Sequence, residues 1–403
     1  MSETNPALPT VAIDFTAQPP IPEAGVARAN ELMTSGRLFR YGEAGAEELD
    51  VAALEAEFAA YVGAAYCVAT NSCGAALAVA LRAVGVRAGD PVLMNAFTLA
   101  PVPGSVAHVG GEPVFVEITT DYLIDIDDLV AKAELSGARF LMLSHMRGHV
   151  ADLPRIVEVC DGLGITIIED CAHTMGASWA GQPTGTFGKV GCFSTQTFKH
   201  INSGEGGLLV TDDPDIAAQA VLLSGSYMLY EQHGAAPESS VFERHKATTP
   251  NWSMRMSALA AALARPQLPL LAQRRETWNQ RYDRLAARLA VGANISVPER
   301  PEDEGYVASS IQFSVHDLSS DQMMAAIELC AVHGVFLKWF GNDQALGFTS
   351  RFDHWRYAAE QPLARTQLIL SGLMDMRIPL AMTLEECGLV GEIITGAFGS
   401  STR

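Results

Sequence analysis

Between about residues 52 and 223, short apolar runs alternate with stretches of helical periodicity. Residues 91–94, 113–116, 139–143 and 166–168 are short, largely apolar runs of strand length and read as buried strands. Residues 75–84, 126–135 and 153–163 lie between them and carry apolar positions at helical spacing. Strand and helix in alternation predict parallel strands joined by crossover helices, an α/β sheet covered on both faces. Sheets of this kind hold their ligands at the carboxyl ends of the strands.

Further along, the pattern changes. Residues 190–194 and 207–211 read as two more strands, flanking a polar, glycine-rich loop. Residues 224–250, with Gly, Pro, Ser and several charges, read as an irregular exposed loop. One long helical stretch is predicted over 256–289, a strand over 309–315 and a helix over 321–333. The expected organisation is a large, mostly parallel sheet domain over 1–255 and a smaller α+β domain over 256–403.

Composition narrows the classes of function. With 403 residues, 48% hydrophobic and 18% charged, the chain can bury a large core. Its net charge of −19 repels phosphate backbones and anionic lipid, which argues against nucleic acid and membranes as partners. Small anionic ligands remain open to a local pocket. The opening MSETNPALPT has no basic stretch followed by an apolar run, and no later stretch has the length of a membrane span. The seven cysteines are scattered without a CxxC pair, so a reducing cytoplasm is expected, with neither a disulfide framework nor a zinc ribbon. His145 and His149 are four apart but follow a strand beside Gly148, which suits a loop role better than a metal site.

Several residues in the first half carry possible chemistry. Asp170 ends the strand Thr166-Ile167-Ile168-Glu169, where a carboxylate faces the ligand crevice; alone it would read as a helix cap. His173 is near enough to share that place. Lys199 lies among apolar and hydroxyl residues, an environment that lowers an amine's pKa and makes it nucleophilic. Ser194 and Thr195 offer hydroxyls to a phosphate, and Gly204, Gly206 and Gly207 permit close backbone approach. Thr70-Asn71-Ser72-Cys73-Gly74 stands between a strand and a helix start, which reads as an N-cap or as an anion site built from backbone N–H groups. A phosphate cradle, a strand-end carboxylate and a desolvated lysine are together the parts that pyridoxal phosphate requires.

The residues that carry this combination resemble the DegT/DnrJ/EryC1/StrS family of fold-type-I aminotransferases. The similar motifs are Gly36-Arg37-Leu38, Asn71 through Leu77, Gly148 through Asp152, Glu169 through His173, Phe193-Ser194 with Lys199, Gly204 through Gly207, and Asn251 through Met256. The match is good over roughly the first two-thirds of the chain. The resemblance implies that Lys199 is the Schiff-base lysine and proton carrier, that Asp170 partners the pyridinium nitrogen, and that His173 contacts the ring or its hydroxyl. It implies that Ser72, Cys73, Gly74 and Ser194 cradle the phosphate. Asn251 would reach the phosphate of a neighbouring subunit, so a homodimer with shared active sites is expected.

This chain also departs from the family pattern. Gly74 stands where a Thr is usual, and Leu99 where an aromatic ring often stacks on the cofactor, with Phe97 as a substitute. Arg147 replaces an aromatic or aliphatic residue and is a candidate for substrate contact or for an ion pair. The C-terminal half carries an unusual aromatic and basic cluster in which Arg351 and Arg356 could clamp an acidic group, or simply pack. The expected activity is ping-pong transamination from glutamate or glutamine to a keto-sugar, commonly nucleotide-linked. The alternatives are a smaller acidic keto or aldehyde substrate, or a pyridoxal phosphate-binding regulator with little turnover. Dehydration without transamination is disfavoured because related sugar dehydratases have His where this chain keeps Lys199.

Overall fold

The computed structural model describes residues 8–42, 49–226, 228–233, 236–345 and 351–400. Two helices, α1 (Glu23–Ser35) and α2 (Asp50–Val62), precede β1 (Tyr66–Thr70). The predicted alternation then follows as α3 (Cys73–Ala83), β2 (Pro91–Asn95), α4 (Pro101–His108), β3 (Glu112–Val116), α5 (Ile126–Ser136), β4 (Phe140–Ser144), α6 (Leu153–Leu163) and β5 (Thr166–Asp170). A short ribbon, β6 (Ser178–Trp179) and β7 (Gln182–Pro183), leads to β8 (Val190–Ser194) and β9 (Gly207–Thr211), and α7 (Pro214–Ser224) follows. The large sheet has seven strands in the order β1-β9-β8-β5-β4-β2-β3. Only β9 pairs antiparallel with its neighbours, so the sheet is mixed but mostly parallel.

Local sequence explains these elements. β5 begins with the β-branched Thr166, Ile167 and Ile168, and all of it after Thr166 is buried. α6 buries Leu153, Ile156 and Cys160 on one face; Asp152 caps its start by accepting from the Arg155 N–H, and Gly164 at φ 66° closes its end. α3 is different, buried along nearly its whole length, because its alanines let it lie close against the sheet. Its N-cap is Ser72, whose hydroxyl oxygen accepts from the Ala75 N–H.

Two expectations need correction. Residues 224–250 are not simply an exposed loop: they contain a 3₁₀ turn at Tyr230–Gln232 and a helix, α8 (Ser239–His245). Phe242 and His233 are buried there, and Tyr230 stacks on Phe242 with ring centroids 4.5 Å apart, so apolar anchoring overrides the loop-like composition. The helical stretch over 256–289 is not continuous. α9 (Ala258–Ala264) and α10 (Leu271–Leu289) are separated by a 3₁₀ turn, Arg265–Leu270, because Pro266 and Pro269 lack the N–H that an α-helix requires.

The remaining strands are β10 (Ile295–Ser296), β11 (Glu304–Gly305), β12 (Ser310–Val315), β13 (Lys338–Trp339) and β14 (Leu373–Arg377). They form an antiparallel sheet of order β10-β12-β14-β13, while β11 joins the β6–β7 ribbon. α11 (Ser320–Val332), α12 (Ala364–Ser371) and α13 (Leu384–Ser400) complete the chain, with α10 and α11 packed on α13. Between β13 and α12 the chain returns to the large sheet. Gln361 accepts from the Phe115 N–H at 2.8 Å and donates to the Pro113 carbonyl at 2.9 Å, clipping the edge strand β3. Among the described residues, no helix is long and apolar enough to cross a membrane.

One charged pair is fully enclosed. Glu55 of α2 accepts two hydrogen bonds from Arg40, at 2.9 and 2.8 Å, and one from the Ala69 N–H of β1 at 2.7 Å. Both side chains are at most 1% exposed, so losing the carboxylate would strand the guanidinium in the interior. Glu55→Ala is expected to cost about 3–5 kcal/mol of stability. Replacing Arg40 by Met and Glu55 by Leu together should recover most of it. Urea unfolding of the two variants measures the difference, and a single variant as stable as the parent would refute this account.

Candidate active site

Asp170 and Ser144 are the last residues of neighbouring parallel strands and sit side by side in the sheet register. The Ser144 hydroxyl donates to Asp170 Oδ2 at 2.7 Å, and the Ala172 N–H donates to Oδ1 at 3.1 Å. Ser144 is itself held: its N–H donates to Asn95 Oδ1 and its carbonyl accepts from Asn95 Nδ2, both at 3.0 Å, while Thr98 donates to its hydroxyl at 2.9 Å. The carboxylate is therefore fixed at the strand ends.

The preceding Glu169 points to the opposite face, as strand alternation requires. It accepts the N–H groups of Gly185, Phe187 and Gly188, all at 2.8 Å, and lies 3.0 Å from His145 Nε2. His145, Glu169 and Cys171 are close enough to suggest a metal site, but Glu169 is already saturated, and burial pushes the Cys171 thiol pKa well up so that it keeps its proton. His149 turns elsewhere, to Gln312 Oε1 at 2.8 Å, so the two histidines do not converge.

Lys199 lies in the loop between β8 and β9, its Nζ 3.0 Å from His173 Nε2. Removal from water, followed by the nearby charge of Arg147, lowers its pKa to about 8. Burial and the charge of Lys199 push His173 well below its usual value, so its ring is neutral and can accept from the lysine. Near neutrality the amine is thus easily deprotonated, which is what a nucleophile or proton carrier needs.

Lys199 and His173 open onto a cavity of about 340 Å³ that reaches Asp170 and the first turn of α3. Ser72, Cys73, Gly74, Leu99 and Ser194 all line it. The first N–H groups of α3, from Cys73 and Gly74, have no partner within the helix and suit an anion. The Ser72 and Ser194 hydroxyls each accept from the backbone, at Ala75 and Gln196, which leaves their own O–H free to donate. A side chain placed on Gly74 would meet nothing nearer than Ser72 Oγ at 3.9 Å, so the cradle is open at that point. A phosphate at α3, a pyridine ring along the cavity and a ring nitrogen at Asp170 fit these residues.

Other expected residues lie elsewhere. Phe97 is buried against Phe340, ring centroids 5.0 Å apart, and Leu99 alone of the two lines the cavity. Asn251 is exposed, accepts from the Ser253 N–H at 2.9 Å and does not line the cavity. Arg351 is tied to Asp353 and Asp343 at 2.6 and 2.8 Å, and Arg356 is exposed; neither lines the cavity. Phe352 and Trp355 of the same cluster pack on Phe115. Arg147 is buried beside Lys199 and pairs with Asp375 at 2.6 Å. Sequence reading missed Ser144, Gln196 and Glu205, which also line the cavity. Ser144 had a signal, a polar residue ending an apolar strand just as Asp170 does.

Known proteins resemble this chain in sequence and in fold. A model of the DegT/DnrJ/EryC1/StrS aminotransferase family matches residues 21–394. The L-glutamine:2-deoxy-scyllo-inosose aminotransferase of Streptomyces kanamyceticus is 40% identical over 186 residues, 46% of this chain and only 43% of that relative. The UDP-N-acetyl-3-dehydro-alpha-D-glucosamine 3-aminotransferase of Acidithiobacillus ferrooxidans is 30% identical over 279 residues, 68% of this chain and 70% of that one. The crystal structure of 3-amino-5-hydroxybenzoic acid synthase superposes with a TM-score of 0.82 over 97% of this chain and 100% of the other, at 23% identity, a likeness of fold.

Proposed function

Because the chain belongs to the DegT/DnrJ/EryC1/StrS aminotransferase family, we propose that it uses pyridoxal phosphate to move an amino group from glutamine or glutamate to the carbonyl of a keto-sugar or keto-cyclitol. The observation that carries this reading is Lys199 Nζ, 3.0 Å from His173 Nε2, facing a cavity that ends on Asp170 and the first turn of α3. The Streptomyces relative is named for a glutamine donor and an inosose acceptor, and the Acidithiobacillus relative for a UDP-linked sugar. A ring ketone is the acceptor class common to both, and nucleotide linkage is its narrower form.

When bound, pyridoxal phosphate supplies an electron sink for the substrate carbon that loses its proton. Asp170, anchored by Ser144 and the Ala172 N–H, holds a proton on the ring nitrogen. Cys73 and Gly74 N–H groups with the Ser72 and Ser194 hydroxyls bind the phosphate. Lys199 Nζ takes the proton from the donor carbon and returns it, and neutral His173 orients that amine. Donor and acceptor use the one site in turn, so the kinetics are ping-pong. Family membership implies that Asn251 reaches the phosphate cradle of a second copy, which would make the active form a homodimer.

The direct test is the visible spectrum of the purified protein. A yellow absorbance that fades with glutamine and returns on adding scyllo-inosose or a nucleotide-linked keto-sugar supports the reading and sorts the acceptors. Absence of the band after adding pyridoxal phosphate refutes it.

The lowered pKa of Lys199 has a measurable sign. Burial favours the neutral amine, so its reactive form is half populated near pH 8 instead of near the ordinary lysine value of about 10.4. The rate at which the cofactor-free protein captures pyridoxal phosphate should rise with pH and level off above about 8. A rate still climbing tenfold per pH unit beyond that point would show an unperturbed lysine.

A further inference from the structure

A second, smaller cavity of about 40 Å³ adjoins the first, and Lys199 and His173 line both. Its other walls include Arg147, Arg377 and Phe198, with Phe15 and Gln18 of the N-terminal segment and the hydroxyl residues Ser309 and Ser310. Arg147 follows β4 of the large sheet and Arg377 ends β14 of the small one, so each sheet contributes one guanidinium.

Neither arginine is placed as an ordinary structural residue. Arg147 stands at φ 58°, ψ 20°, a left-handed conformation that a non-glycine residue rarely adopts, and such outliers gather at functional sites. It is 6% exposed; one amine donates to Asp375 Oδ2 at 2.6 Å, while its enclosed Nε meets no acceptor. Asp375 is shared, since it also accepts from Gln312 Nε2 at 2.8 Å. Arg377 lies over the Phe198 ring, 3.7 Å from its centroid, and among the described residues no carboxylate is within ion-pair distance of it. Lys199, Arg147 and Arg377 thus face one small space, and Asp375, which pairs with Arg147, is not among the residues lining it, in a chain of net charge −19. A cationic pocket on so acidic a molecule is a place for an anion.

We propose that this pocket is an anion subsite that takes a carboxylate of the substrate, held by Arg377 and Arg147 beside Lys199. The proposal rests on the reading of the larger cavity as the reaction site. A carboxylate matches the planar, forked donors of two guanidinium groups and a space this small. The carboxylate comes from the amino donor or from an acid group on the acceptor, and the two half-reactions separate these sources.

Calorimetric titration of glutarate and of glutaramide, its uncharged counterpart, tests the subsite itself. Glutarate should bind at least about tenfold more tightly than glutaramide, Arg377→Gln should remove that advantage, and Arg377→Lys should keep part of it. Equal binding of the two compounds to the unaltered protein overturns the proposal. Stopped-flow spectra then assign the source. If Arg377→Gln raises the glutamine concentration for half-maximal conversion about tenfold or more, with the limiting rate little changed, the carboxylate is the donor's. If the glutamine step is unchanged and return of the amine to pyruvate is weakened while return to scyllo-inosose is not, it is the acceptor's. No change in either half-reaction also overturns the proposal. The glutarate comparison does not need the cofactor, so a protein that bound no pyridoxal phosphate would fail the functional reading while the subsite was still decided.

Discussion

Replacing Lys199 with alanine is expected to lower turnover by about four orders of magnitude, because the variant loses both its nucleophile and its proton carrier. The fold should be unaffected. The lysine amine makes its side-chain hydrogen bond to His173 alone and fills none of the apolar core. Pyridoxal phosphate should still bind through the first turn of α3, since that cradle is built from backbone N–H groups and two serine hydroxyls. Following the glutamine half-reaction by absorbance, and adding a small primary amine to the variant, separates lost chemistry from lost binding. Turnover within tenfold of the parent would remove Lys199 from the mechanism.

Asp170→Ala should produce the next largest loss, about 10²–10³ in kcat, since removing a fixed charge partner from a developing transition state typically costs that much. Glu169 cannot substitute for it. That carboxylate projects from the other face of β5 and is fully occupied by three backbone N–H groups and His145. Ser144→Ala removes one hydrogen bond to the Asp170 carboxylate and should cost only about tenfold. Steady-state kcat for the two variants gives the ranking. An Asp170→Ala enzyme no slower than Ser144→Ala would mean that Asp170 serves only to order the loop behind it.

Much of the first half of the chain was legible because it follows simple periodicities. The runs at 91–94, 113–116 and 166–168 became strands with ends shifted by a residue or two, since a buried parallel strand announces itself by unbroken apolarity. Lys199, Asp170 and His173 each read alone as ordinary; their combination and the family resemblance singled them out, and the fold brings all three to one cavity. Ser144 was not, because its role depends on the register of β4 against β5, and pairing is not written in either strand alone. Arg377 was still harder to see: β14 meets the site only once the small sheet packs, and nothing near Arg377 in sequence marks it. Arg351, read as either an acid clamp or a packing residue, takes a structural place. Its acidic neighbours Asp343 and Asp353, both close in sequence, already satisfy it.

Gln361 has a consequence beyond catalysis. An edge strand with free N–H and C=O groups is a template for strands of other molecules, and sheets so exposed tend to polymerise. At β3 one amide side chain presents an acceptor to the Phe115 N–H and a donor to the Pro113 carbonyl, imitating the next strand without supplying one that could itself be extended. The rings of Phe352 and Trp355 lie against Phe115 at the same edge. At this border the backbone groups of Phe115 and Pro113 are thus already taken, by a side chain contributed from far along the chain, and are not open to a strand of another molecule.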